Sequence, residues 1–177
     1  MYILMGLIQF GLIFAAYITI NNAVREGARW GSISVYDASS GQTQATNDTT
    51  RQDGVLERVV ASRGVLNIAA VGSSNSNFDA SGSWTAGTVA TDCFNQTPTP
   101  ASAVKKGDLT ICYTIPNTLP TVTANDARRG YYMEVSAYYH TQVFVPLLDT
   151  FLPDDPSKGS SGSQWIRLPG RVTVVIN

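Results

Sequence analysis

Apolar residues crowd the start of the chain: Tyr2 to Ile20 is a run of nineteen residues without a formal charge, interrupted only by Gln9 and a few small or hydroxylated side chains. At about 1.5 Å per residue this run makes a helix of roughly 29 Å, close to the hydrocarbon thickness of a bilayer. It continues into Asn21-Asn22-Ala23-Val24-Arg25-Glu26-Gly27-Ala28-Arg29-Trp30-Gly31. Gly11 and Ala15, then Ala23, Gly27 and Gly31, form small-residue stripes with a period of four, the spacing that lets helices approach closely. The aromatic set Phe10, Phe14 and Tyr17 falls at helical spacing and reads as helix packing.

After the helix the pattern shortens. Residues 32–49, rich in Ser, Gly, Gln, Thr and Asn, read as a linker. Thr50-Arg51-Gln52-Asp53 has the form of a capping box, and Val55, Leu56, Val59 and Val60 predict one face of a short helix ended by Gly64. Val65 to Val71 reads as a buried strand, and Asp108 to Ile115 as another. Between them, residues 72–107 read as a long loop with anchors at Phe78, Trp84 and Phe94. From Tyr131 to Pro146 the alternation is regular: Met133, Val135, Ala137, Tyr139, Val143 and Val145 fall on one face, with Glu134, Ser136, Tyr138, His140 and Gln142 on the other. A turn-rich connection follows, and Trp165 to Asn177 closes the chain as a strand. The fold class expected is α+β: a long hydrophobic helix over residues 1–31, then a head over 32–177 of three or four antiparallel strands with a short packed helix.

Composition narrows the setting. The formal charge is −1 with only 14% charged residues, and no basic patch points to nucleic acid. Cys93 and Cys112 suit a single disulfide in an exported domain, worth roughly 3 kcal/mol by loop entropy. Their spacing fits no metal motif, and neither metal nor cofactor is expected. A cleaved signal peptide is the first alternative for the N-terminal run, but no Lys or Arg precedes Arg25. An ordinary anchor is the second, and the positive-inside rule would then put the Arg25 and Arg29 side in the cytoplasm, against the extracellular character of the rest.

The phrase Asn22-Ala23-Val24-Arg25-Glu26-Gly27-Ala28-Arg29-Trp30-Gly31, preceded by Gln9-Phe10-Gly11 and the apolar run, resembles the TadE-like pilins and pseudopilins of tight-adherence pili. The resemblance is close over about the first 35 residues and looser over Met133 to Leu147. It implies a precursor cut by a prepilin peptidase, insertion in the inner membrane, and assembly by pilus machinery into an extracellular filament of copies of the same chain. Such proteins usually carry a glutamate at the fifth position after cleavage. Here that position is Met5 and the first acidic residue is Glu26, so either the chain starts downstream of the usual site or it lacks that group.

Arg25, Glu26 and Arg29 stand where the helix leaves the membrane. Glu26 and Arg29 are placed to pair within the helix, and Glu26 is also placed to reach an arginine of a neighbouring subunit once helices bundle. His140 reads as a surface strand histidine rather than a general base, since no acid is placed near it by sequence. Asp149, Asp154 and Asp155 lack EF-hand spacing and read as turn residues rather than Ca²⁺ ligands. Lys105-Lys106 reads as a solvated loop tip. Asn47 and Asn95 head glycosylation acceptor triplets.

Three functions follow from these features. The first is a structural pilin subunit polymerising through its apolar helix, for adhesion or surface attachment, with a minor pseudopilin that primes or caps the pilus as its rival within the same family. On that reading Gly27→Leu should block assembly and leave the head folded. The second is a membrane-anchored binding domain using residues 72–107. An enzyme is third, for want of a nucleophile elbow, phosphate loop or paired metal motif.

Overall fold

A computed structural model describes residues 2–33, 44–62, 64, 66, 77–95, 97–116, 128–145, 152, 155, 157 and 165–177. Its elements in chain order are α1 (Tyr2–Ile33), α2 (Gln44–Ala61), β1 (Thr85–Ala86), α3 (Val89–Asp92), β2 (Ser102–Lys106), β3 (Leu109–Thr114), β4 (Tyr132–Gln142) and β5 (Trp165–Val175). The strands form one antiparallel sheet in the order β1-β2-β3-β4-β5. This is the expected α+β architecture, a long apolar helix followed by an antiparallel sheet and short helices.

The alternation along β4 decides which face of the sheet is the core. Met133 lies opposite Tyr113 and Val174, Val135 opposite Ile111 and Val172, and Ala137 opposite Leu109 and Gly170. A slip of one residue would turn this apolar set to the other face, so the register is strongly specified. On that face lies α1, running the same way as β5. Gln9 meets the Gln142 end of β4, Ile20 meets Gly170, and Gly31 meets Met133; beyond it the Ser32 carbonyl accepts from Asn177 N at 3.0 Å. From Gln9 to Gly31 the helix rises about 33 Å, and from Met133 to Gln142 the strand covers about 31 Å. Helix and strand are therefore matched in length, and most of α1 is seated on the head rather than projecting from it.

Two expectations change and a third is not tested. Residues 44–49 belong to α2 rather than to a linker, and no capping box starts at Thr50. The Thr49 and Thr50 hydroxyls donate back to the carbonyls of Ala45 and Thr46 at 3.0 Å, which satisfies them inside the helix. Within residues 72–107, β1 and β2 bring the sheet to five strands rather than three or four, and α3 adds a short helix between them. Finally, the strand expected over 65–71 lies outside the described residues apart from Leu66, which is buried.

The second face of the sheet is covered too. The Cys93–Cys112 disulfide, Val89 and Ala103 form a small cluster there. Glu134 holds the adjoining loop, its two carboxylate oxygens accepting from Phe94 N at 2.8 Å and Asn95 N at 2.9 Å. Elsewhere α2 is tied down by Asp48, which takes a forked contact from Arg128 Nε at 2.9 and 3.0 Å, while the Arg128 guanidinium lies 4.1 Å from the centre of the Tyr113 ring.

Candidate assembly helix and its seat on the head

Taken at 100° per residue, α1 has one inward face throughout: Ala16, Ile20, Ala23, Val24, Ala28 and Gly31 are buried. Its outward face changes character halfway. Ile3, Leu4, Leu7, Phe10, Phe14 and Ile18 are exposed, Leu7 by 67% and Phe14 by 63%. Past Ile18 the same face carries Asn21, Asn22, Arg25, Glu26 and Arg29. The first half is thus apolar all round, and the second is an ordinary amphipathic helix with its apolar side in the core.

The small residues divide in the same way. A Cβ on Gly27 would stand 2.6 Å from Val59 Cγ2, and one on Gly31 2.6 Å from Met133 Cε and 2.7 Å from Val55 Cγ2. From the other side, a Cβ on Gly54 of α2 would strike the Trp30 ring. Ala23, Gly27 and Gly31 therefore serve the crossing of α1 with the chain's own α2 and sheet. The expectation that Gly27→Leu spares the head is corrected accordingly. Gly11 is different: nothing lies within 4 Å of its Cβ position, and Ala15 beside it is exposed. Phe10, Phe14 and Tyr17 are exposed as well, so packing against the head does not account for them.

Gln9, the one amide in the apolar run before residue 20, is 4% exposed. Its Nε2 donates to the Gln142 carbonyl at 3.2 Å, and its Oε1 accepts from Phe144 N at 3.2 Å. It clasps α1 to the end of β4 by satisfying two backbone groups that the strand leaves open. Arg25, Glu26 and Arg29 are exposed and form none of the ion pairs among the described residues, so the Glu26–Arg29 pair expected within the helix is not made.

His140 is not a surface residue. It is 1% exposed, with Nε2 3.0 Å from Asp108 Oδ1 and Nδ1 bonded to Asp155, whose Oδ1 accepts from Ser157 N and Oγ at 2.9 and 2.7 Å. Burial alone would lower the imidazole's pKa, but the hydrogen bonds and charges of Asp108 and Asp155 outweigh it and hold the group above its ordinary value. Burial likewise works against the Asp155 carboxylate, yet its bonds to Ser157 and His140 leave it below the usual range. The result is a closed ion pair, with both imidazole nitrogens engaged. Asp155 has the turn chemistry expected of it, while Asp149 and Asp154 lie outside the described residues. Asn47 lies within α2 with its amide nitrogen buried, so a glycan there would force the helix off the head; Asn95 is exposed. Lys105 and Lys106 are on strand β2, pairing with Asp92 and lying over Trp84 respectively, rather than at a loop tip.

The segment that combines a seated half with an uncovered half is also the one that resembles known proteins. Residues 1–29 match the family model of TadE-like proteins. No curated protein and no solved structure matches the chain. The TadE-like match covers the apolar half of α1 and the close crossing with α2 as far as Arg29. By length and composition this helix qualifies to cross a membrane. A TadE-like segment on such a helix is consistent with a pilus-related protein that is membrane-anchored or part of a surface pilus. Sequence reasoning missed the Gln9 clasp and the His140 ion pair. The lone amide in an apolar run was a signal for the first; nothing local announced the second, because Asp108 and Asp155 come from distant turns.

Proposed function

We propose that this chain is a structural pilin subunit, inserted in the inner membrane as a precursor cut by a prepilin peptidase and then polymerised through α1 into an extracellular filament. The observation that carries this reading is the outward face of α1 from Ile3 to Ile18, apolar along about 23 Å, uncovered by the head and lying within the TadE-like match. Removing that face from water, by lipid first and then by neighbouring helices, supplies the cohesion without any catalytic group.

The seat of the helix adds a condition. With α1 docked, the ends of β4 and β5 stand beside residues 9–20, and Arg167 on β5 would lie at hydrocarbon depth if those residues spanned a bilayer. Full insertion therefore requires the Gln9 clasp to open. A minor pseudopilin that primes or caps a filament made by another protein is the second reading. Electron microscopy and mass spectrometry of filaments sheared from producing cells separate the two. This chain as the dominant protein supports a major subunit, a trace amount supports a minor one, and retention of all of it in the membrane fraction rejects polymerisation.

A further inference from the structure

On the face of the sheet away from α1, two arginines four residues apart on β5 lie over aromatic rings. The Arg167 guanidinium is 4.2 Å from the centre of Tyr138, and that of Arg171 is 5.1 Å from Phe94; the two rings are 5.8 Å apart. Neither arginine forms an ion pair among the described residues. Arg171 and Phe94 separate two adjoining depressions. One, of about 380 Å³, is bounded also by Asn95, Glu134 and Thr173; the other, of about 460 Å³, reaches round the β5 edge, where Tyr17 and Asn21 of α1 meet Pro169.

The floor between them is held in place before any ligand arrives. Cys93, next to Phe94, is bridged to Cys112 on β3, and the backbone N–H groups of Phe94 and Asn95 are both taken by Glu134. Arg171 forms no ion pair with Glu134, its neighbour in that depression, nor with any other carboxylate among the described residues. An unpaired, planar, forked donor beside aromatic rings, with amide and hydroxyl groups at the rim, has the chemistry that recognises a carboxylated sugar: the fork matches a carboxylate, and the rings take the apolar faces of pyranoses.

We propose that the paired depressions around Arg171 bind an acidic saccharide, its carboxylate on Arg171 and its rings against Phe94 and Tyr17. The site is built from a single chain, but Tyr17 lies in the stretch of α1 that the proposed assembly would cover, so the site is tested on the unpolymerised chain. A competing account exists for the same residues. β5 is the outer strand of the sheet, and charged side chains on such an edge deter pairing with other chains.

The test is titration calorimetry on the full-length chain in a detergent without a sugar headgroup, with a uronic acid hexamer, the neutral hexamer maltohexaose, and inorganic phosphate. The uronate should bind at millimolar concentration or better, with maltohexaose and phosphate at least about tenfold weaker; Arg171→Ala and Arg171→Lys should each cost about tenfold or more, the second because an ammonium lacks the planar fork. Near-UV circular dichroism checks that both variants keep the fold. Should Arg171→Ala unfold, the isosterically closer Arg171→Lys carries the comparison. No uronate binding, equal binding of maltohexaose, equal competition by phosphate, or unchanged affinity in the variants overturns the proposal. Unchanged affinity with new aggregation would assign Arg171 to edge protection instead.

Discussion

The two halves of α1 solve the same problem in opposite ways. From Ala16 to Gly31 the apolar face is narrow, and α2 and the sheet bury it completely; from Ile3 to Ile18 the apolar surface goes all the way round, and the head covers only one side of it. A helix that needed nothing beyond its own chain would have become polar on the outside along its whole length, as α1 does after Ile18. The uncovered half is therefore the part that looks outside the molecule, and the small residues of the covered half belong to folding. Their shared period of four conceals that division.

Substitutions at the crossing of α1 with α2 should have the largest effect. Gly54→Ala places a methyl into the Trp30 ring, and Gly27→Leu drives a side chain into Val59 and the Val55 carbonyl, so each should cost about 3 kcal/mol or more in chemical unfolding of the full chain. A Gly27→Leu variant as stable as the wild type would put α1 somewhere other than on α2. Close behind, Cys93→Ser with Cys112→Ser opens the covalent tie on the opposite face and should cost roughly 3 kcal/mol. Its expected signature is a lower thermal midpoint under oxidising conditions and no difference from the wild type after reduction.

The His140 ion pair is next, and its pH dependence has a definite sign. Because His140 is held above its ordinary value of 6.5, its contribution is complete below that value and fades as pH rises through the raised folded value. Because Asp155 is held below its ordinary 3.8, its contribution is complete above that value and fades as pH falls through the lowered one. Stability from this pole should thus be greatest between about pH 4 and 6.5 and decline towards alkaline pH. His140→Gln should cost about 2 kcal/mol at pH 5 and flatten the alkaline decline, as read from urea midpoints across the pH series. A smaller loss, about 1 to 2 kcal/mol, is expected for Gln9→Leu, which strands the Gln142 carbonyl and Phe144 N–H. Faster amide exchange confined to residues 142–144 and the first turns of α1 would mark the opened clasp.

How far each part could be read in advance follows from where its partners lie. The β4 alternation was legible because the burial of Met133, Val135 and Ala137 on one face is a local, period-two signal. Its other face was not, since Glu134 and His140 are covered by groups that arrive from residues 94, 95, 108 and 155. β2 was lost in a polar stretch where only Ala103 is fully buried and Lys105 and Lys106 dominate the pattern. The start of α2 was hidden by Thr49 and Thr50, whose return bonds to the helix backbone do not show in a capping motif. The small-residue stripe was visible, but spacing alone does not say whether the neighbouring helix belongs to the same chain.

The smallest effect on stability is also the most informative contrast. Phe14 projects from the uncovered half of α1 and is 63% exposed, so Phe14→Ser removes little that the fold uses and should leave chemical unfolding within about 0.5 kcal/mol of the wild type. In a filament core the same ring would be withdrawn from water by neighbouring helices, where losing a buried phenyl group costs about 3 kcal/mol or more in each subunit. A polymer repeats that loss at every subunit, so sheared-filament yield should collapse while the monomer melts normally. Normal filaments from Phe14→Ser would place this face outside the assembly contact. A destabilised monomer would mean instead that the head covers the first half of α1 in solution, and the contrast between the two halves would dissolve.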